Sequence, residues 1–159
     1  MNELLRILRR QARLSNAELA SQVAASEEAV AAQIAAWEAD GTIRGYQAMI
    51  DPAQDGLDGV TAFIEVKLTP ERGGGFDRLA RRIARFEQVT SCYLASGGYD
   101  LLVVVEGQDL ISVAAFVAEK LSTIEGVVST ATHFRLKSYK ENGFLFGEDS
   151  DPERLPVTP

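Results

Sequence analysis

The stretch Val89–Gly107, VTSCYLASGGYDLLVVVEG, constrains the fold more than any other part of the chain. Two apolar runs, Val89–Ala95 and Leu101–Val105, flank the segment Ser96-Gly97-Gly98-Tyr99-Asp100. Both runs are rich in β-branched and aromatic residues, which fit a pleated surface. A Gly-Gly pair between them reads as a tight hairpin, because glycine adopts positive φ without steric cost. Leu101–Val105 is apolar throughout, which predicts a central strand buried on both faces. The hinge then sets two glycines, an aromatic ring and a carboxylate at a sheet edge. That suits a small zwitterion, and it equally suits an ordinary turn.

The rest of the composition excludes several classes. No window approaches 18 uninterrupted apolar residues, so no transmembrane helix is expected, and MNELLRILRRQ lacks a signal-peptide core. Cys92 is the single cysteine, which excludes an internal disulfide and a cysteine-based zinc site. A cytoplasmic protein is expected. The net charge of −7 argues against general affinity for polyanions, so nucleic-acid binding must come from a local basic patch. His133 has no neighbouring His or Cys and reads as structural, and Gly73-Gly74-Gly75 lacks the Lys-Ser/Thr of a phosphate loop and reads as flexible. No nucleophile–base–orienter set appears, so no catalytic residue, cofactor or metal is expected.

Along the chain, Leu4, Leu5, Leu8 and Ala12 recur at helical spacing over residues 2–13, with Arg6, Arg9, Arg10 and Arg13 between them. Ser15-Asn16-Ala17-Glu18 is a capping box opening a second helix to Val23. A turn at Ala24-Ala25 leads to Ser26, a second N-cap, and a third helix to about Ala39. Val30, Ile34 and Trp37 form its apolar stripe, and Gly41 ends it. Three short helices with a tight turn describe a helix-turn-helix unit. Ile43–Ile50 reads as a strand and residues 51–56 as a break. Val60 to Leu68 alternates with period two, and Phe76, Leu79, Ala80, Ile83 and Phe86 mark a helix face. After the central hairpin, Leu110, Val113, Val117, Leu121 and Ile124 face inward on another helix, and Val127–Tyr139 is a last long strand. The order βαββαβ is ferredoxin-like. Helices cover one face of such a sheet, and a second chain meeting it sheet to sheet covers the other. The expected organisation is α+β. It comprises a winged helix-turn-helix unit (1–45), a linker strand and hinge (46–58), a ferredoxin-like body (59–141) and an acidic tail (142–159), disordered over its last dozen residues.

Taken together, RLSNAELA at Arg13–Ala20, EADGTIRGY at Glu38–Tyr46, GGYDLLVVV at Gly97–Val105, IEGV at Ile124–Val127 and STATHFRLKSYK at Ser129–Lys140 carry a family likeness. The chain resembles the leucine-responsive and asparagine-responsive (Lrp/AsnC) family of prokaryotic transcription regulators. The resemblance implies double-stranded DNA as a partner and homodimers that assemble into tetramers or octamers. It also implies an amino-acid effector held between dimers around the hinge. By motif position it nominates Gly98, Tyr99 and Asp100, with Ser129, Thr130 and Thr132 opposite. Amides of a Gly-rich turn can hold a carboxylate, and Asp100 or threonine hydroxyls an α-amine.

One departure stands out. The third helix with its cap, SEEAVAAQIAAWEAD at Ser26–Asp40, contains no Arg or Lys and carries Glu27, Glu28, Glu38 and Asp40. Phosphate contacts and guanine readout both lean on cations. Ser26 and Gln33 are left as base-contacting candidates, and Arg44 and Arg13, beside Arg9 and Arg10, as basic ones. Two readings follow: a DNA-binding regulator, or an effector-sensing or protein-interaction module with weakened DNA binding.

Overall fold

The computed structural model describes residues 3–51, 59–70 and 75–147. Its contacts divide the chain into two units, Met1–Met49 and Ile50–Pro159.

In the N-terminal unit, helices α1 (Glu3–Leu8), α2 (Asn16–Val23) and α3 (Glu27–Asp40) enclose Leu4, Leu8, Leu19, Ala20, Val30 and Trp37. Full burial of an aliphatic such as Leu19 contributes about 1.5–3 kcal/mol before entropy is charged against it. The capping box forms: Ser15 Oγ accepts from Glu18 N at 3.3 Å, and Glu18 Oε2 accepts from Ser15 N at 2.8 Å. The Ser15 hydroxyl and amide together hold the Glu18 carboxyl below its usual value. Its contribution is therefore present above the ordinary carboxylate range and is lost as pH falls through the lowered value. Ser26 caps α3 by accepting from Ala29 N at 3.2 Å. Helix α1 stops at Leu8 instead of reaching Arg13, because residues 9–14 must reverse the chain before the Ser15 cap. The expected strand at Ile43–Ile50 is absent. Residues 43–51 form no ladder, since an extended segment becomes a strand only beside a partner, and the described residues of the N-terminal unit include no strand to pair with.

In the C-terminal unit, β1 (Val60–Leu68), β2 (Val89–Leu94), β3 (Leu101–Gly107) and β4 (Val127–Phe134) form one antiparallel sheet in the order β2-β3-β1-β4. This is the ferredoxin-like order. Helices α4 (Asp77–Ile83) and α5 (Leu110–Ala115) cover one face. Ala62, Ile64 and Val66 of β1 and Leu101, Val103 and Val105 of β3 are fully buried beneath them. Phe86 meets Phe116 edge to face at 5.4 Å.

Four expectations are corrected here. Leu101–Val105 is central but buried on one face only: Leu102 and Val104 lie on the side that a single chain leaves open, beside Phe63 and Tyr93. The β2–β3 connection is a loop, Ala95–Asp100, closed by Ala95 N donating to Asp100 O at 2.8 Å, not a tight Gly-Gly turn. Helix α5 continues as a π-helical stretch, Phe116–Leu121, with Ser122 N bonded to Val117 O at 2.8 Å. That wider turn keeps Leu121 in the core five residues after Phe116, and Leu110 at the start of α5 is exposed. Finally, β4 ends at Phe134, and a separate hairpin follows, β5 (Lys140–Glu141) and β6 (Phe144–Leu145). Asn142-Gly143, with φ of 47° and 95°, turns it. This Asn-Gly signal for a two-residue turn falls within the segment assigned to the tail. The expected break at residues 52–56, Gly73-Gly74 and the last dozen residues lie outside the described residues.

Ala24 closes α2 at φ 52°, ψ 47°, a left-handed conformation that costs an L-residue about 1–2 kcal/mol. Ala24→Gly relieves this at a smaller unfolded-state cost. It is expected to raise the stability of the N-terminal unit by about 0.5–1 kcal/mol in thermal unfolding followed by circular dichroism; a lowered midpoint would contradict the strain.

Candidate functional site

The end of the sheet where β1 finishes and β3 and β4 begin gathers the hinge and its surroundings. Asp100 fastens it with three groups. Its amide donates to Val66 O at 3.0 Å, its carbonyl accepts from Ala95 N, and its carboxylate Oδ2 accepts from Leu68 N at 2.7 Å. One residue past the end of β1, Thr69 N donates to Gly126 O at 2.8 Å. The hinge and the turn before β4 are thus tied to consecutive residues, the last of β1 and the one after it. Gly126 has to be glycine: its φ is 95°, and a Cβ there would stand 2.7 Å from Leu79 Cδ1 on α4.

Gly97 and Gly98 are exposed on the loop, and Tyr99 and Asp100 are half-buried. The hydroxyl candidates on β4 do not share a face. Ser129 pairs with Lys67 on the open side of the sheet, whereas Thr130 and Thr132 pair with Val66 and Ile64 on the helix-covered side. Thr130 Oγ1 also lies 3.4 Å from Ser122 Oγ. The anchoring amides of Leu68 and Thr69 were not legible in the sequence, since backbone groups leave no side-chain motif.

The open face of the sheet carries Phe63, 36% exposed, and Tyr93, 57% exposed, with Leu102 and Val104 between them. On the same face His133 Nε2 lies 3.5 Å from Glu65 Oε1. Cys92 points the other way, its thiol 3.9 Å from Ala80 O, and burial pushes it above its ordinary value. That keeps it protonated and weakly nucleophilic.

In the N-terminal unit, Ser26, Gln33, Arg13 and Arg44 are all exposed. Ser26 spends its hydroxyl on the α3 cap. Tyr46 OH donates to Glu38 Oε1 at 2.8 Å, a contact that the sequence did not suggest.

A helix-turn-helix unit joined to a ferredoxin-like body with a fastened Gly-rich hinge is the build of a transcription regulator. Comparison with known proteins agrees. The profile of the Lrp/AsnC ligand binding domain matches residues 61–145. The HTH-type transcriptional regulator YugG of Bacillus subtilis is 46% identical over 158 residues, covering 99% of this chain and 95% of its own. The proline dehydrogenase transcriptional activator of Rhodobacter capsulatus is 34% identical over 130 residues, 82% of this chain and 84% of its own. A crystal structure of a transcriptional regulator from Neisseria meningitidis, complexed with L-Met, matches with a TM-score of 0.66 at 26% identity, over 89% of this chain and 93% of that one. The chain belongs to the Lrp/AsnC family of transcription regulators.

The fastening of the hinge is testable. Asp100→Ala strands the part-buried Leu68 amide, at an expected cost of about 1–3 kcal/mol in denaturant unfolding. Asp100→Asn keeps an acceptor for it and is expected to lose less than half of that. Equal losses would show that the carboxylate contact does not hold the loop.

Proposed function

We propose that the protein is a DNA-binding transcription regulator whose body senses an amino acid or similar zwitterion, and that it acts as a symmetric assembly in the cytoplasm. The observation that carries this reading is family membership over both units, combined with the gathering of the hinge and the Gly126 turn at one sheet end. The exposed loop around Gly97 and Gly98 offers amides suited to a carboxylate, and the free capacity of the Asp100 carboxylate suits an ammonium. Ser129, Thr130 and Thr132 are split between two faces, so only one set of them belongs with any one ligand.

The open sheet face supports dimerisation. Phe63, Leu102 and Val104 are apolar, and a second copy of the same face covers them without any new partner. Two DNA-reading units per dimer then compensate for weak contacts by each one. Tetramers or octamers follow by joining dimers. Gln33 and Ser26 lie on exposed parts of α3 and its cap, positions from which a helix in the major groove reaches base edges. The role is regulatory, not catalytic, as the names of the relatives support. Among the described residues no helix is long and apolar enough to cross a membrane.

A second reading rests on a specific feature: α3 has no cation and four acids with its cap segment, so a protein partner could replace DNA. Fluorescence anisotropy on the protein's own upstream DNA, with and without L-methionine as the first probe and then a mixture of the other amino acids, separates the two. Submicromolar binding at about 50 mM salt that weakens by at least tenfold at about 200 mM is expected, together with a shift of affinity on adding an amino acid. Flat, weak binding under all conditions would overturn the DNA-binding reading in favour of the partner module.

A further inference from the structure

With Val30, Ile34 and Trp37 turned inward, the 3.6-residue repeat directs Ala32, Ala35, Ala36 and Ala39 outward, with Glu28 beside them. None of these is a cation, and Glu27 and Glu28 occupy the first turn, where a phosphate would otherwise be favoured. Yet phosphate neutralisation supplies essentially all of non-specific DNA affinity. If α3 meets DNA, the charge that holds the backbone has to come from elsewhere in the unit.

A cleft of about 450 Å³ meets that need. Arg9, just past α1, and Arg44, after α3, both line it, over a floor that includes Leu5, Leu8, Ile43 and Tyr46. The Arg44 segment is held in place by several bonds. Thr42 N donates to Asp40 Oδ1 at 2.8 Å, Ile43 N to Trp37 O at 2.9 Å, and Tyr46 OH to Glu38. The Arg44 guanidinium lies over Gly41, where a Cβ would stand 2.9 Å from its Cζ, so the missing side chain makes room for it. The Tyr46 and Thr42 bonds thus engage the two acids at the end of α3, Glu38 and Asp40. Neither Arg9 nor Arg44 forms an ion pair among the described residues, whereas Arg6 pairs with Glu3.

We infer that Arg9 and Arg44 form a two-point clamp on the DNA backbone, so that the phosphate-holding surface of this protein is the cleft between α1 and the Arg44 segment and not α3. The inference rests on the regulator reading above. Two guanidinium groups on separate elements line one cleft, and their fork geometry favours bidentate contact with phosphate oxygens. The α3 surface is then free to carry alanine and acid, since it faces bases without having to neutralise phosphates.

The test is the salt dependence of DNA affinity for the full-length protein, measured on upstream DNA and on an unrelated duplex of equal length. Arg9→Ala and Arg44→Ala are each expected to reduce the slope of log K against log salt by about 0.9 per DNA-reading unit, equally on both duplexes. Arg9→Lys and Arg44→Lys keep the charge and are expected to retain the slope. Arg6→Ala, in a separate hollow beside Glu3, is expected to leave it unchanged. All of these residues are exposed, so folding is expected to persist and is checked by circular dichroism. Wild-type slopes in both alanine variants would overturn the clamp while leaving the regulator reading in place. Failure of the wild type to bind either duplex at about 50 mM salt would overturn both.

Discussion

The chain supplies helices for one apolar face of the sheet and leaves open a second face that combines Phe63, Tyr93, Leu102 and Val104 with polar residues such as Glu65 and His133. Ala62, Ile64 and Val66 alternate along β1, and Leu101, Val103 and Val105 along β3, all fully buried beneath α4 and α5. The intervening residues Phe63, Leu102 and Val104 point to the other side, and they are hydrophobic as well. Period-two geometry makes this unavoidable, because a strand that is apolar at every position sends half its side chains each way. Burying them at about 25 cal/mol per Å² requires a second surface, and symmetry makes another copy of the same chain the simplest one. The same central strands position the hinge: β1 ends where β3 and β4 begin, so a loop fastened to Leu68 sits one residue from a turn fastened to Thr69.

The fastening of that end bears on how a ligand acts. Asp100 contributes its amide, its carbonyl and its carboxylate to the sheet end, and the carboxylate keeps acceptor capacity beyond its bond to the Leu68 amide. A ligand shifts an equilibrium only through differential contacts. On the proposed reading, a ligand held at the hinge acts through the loop that Asp100 ties to the end of β1.

How much of this was legible in the sequence depended on whether the signal was local. The capping box at Ser15–Glu18, the Ser26 cap and the Gly41 stop are set by side chains within a turn of their targets, and they appear as expected. The alternation in Val60–Leu68 likewise fixed β1 and its inward face. Features that depend on distant backbone were not legible. The π-helical turn at Phe116–Leu121 shifts the phase of the helix so that Phe116 and Leu121 are both buried, and no residue pattern announced it. Ile43–Ile50 had the composition of a strand but pairs with no other strand among the described residues. For the candidate site, the family motif located the hinge, but the anchors of Asp100 are main-chain groups of β1. The split of Ser129 from Thr130 and Thr132 follows from strand register, which a motif does not encode. Asn142-Gly143 was a readable hairpin signal, hidden by the acidic composition around it.

Sedimentation equilibrium at micromolar concentration tests most directly whether the open face joins two copies of the chain. The wild type is expected at an even multiple of the 17.3 kDa chain. Val104→Asp, which places a charge between Phe63 on β1 and Ser91 on β2, is expected to shift the mass towards a single chain with the secondary structure unchanged. A single-chain mass for the wild type, or an assembly indifferent to Val104→Asp, would contradict the claim that this face joins two copies.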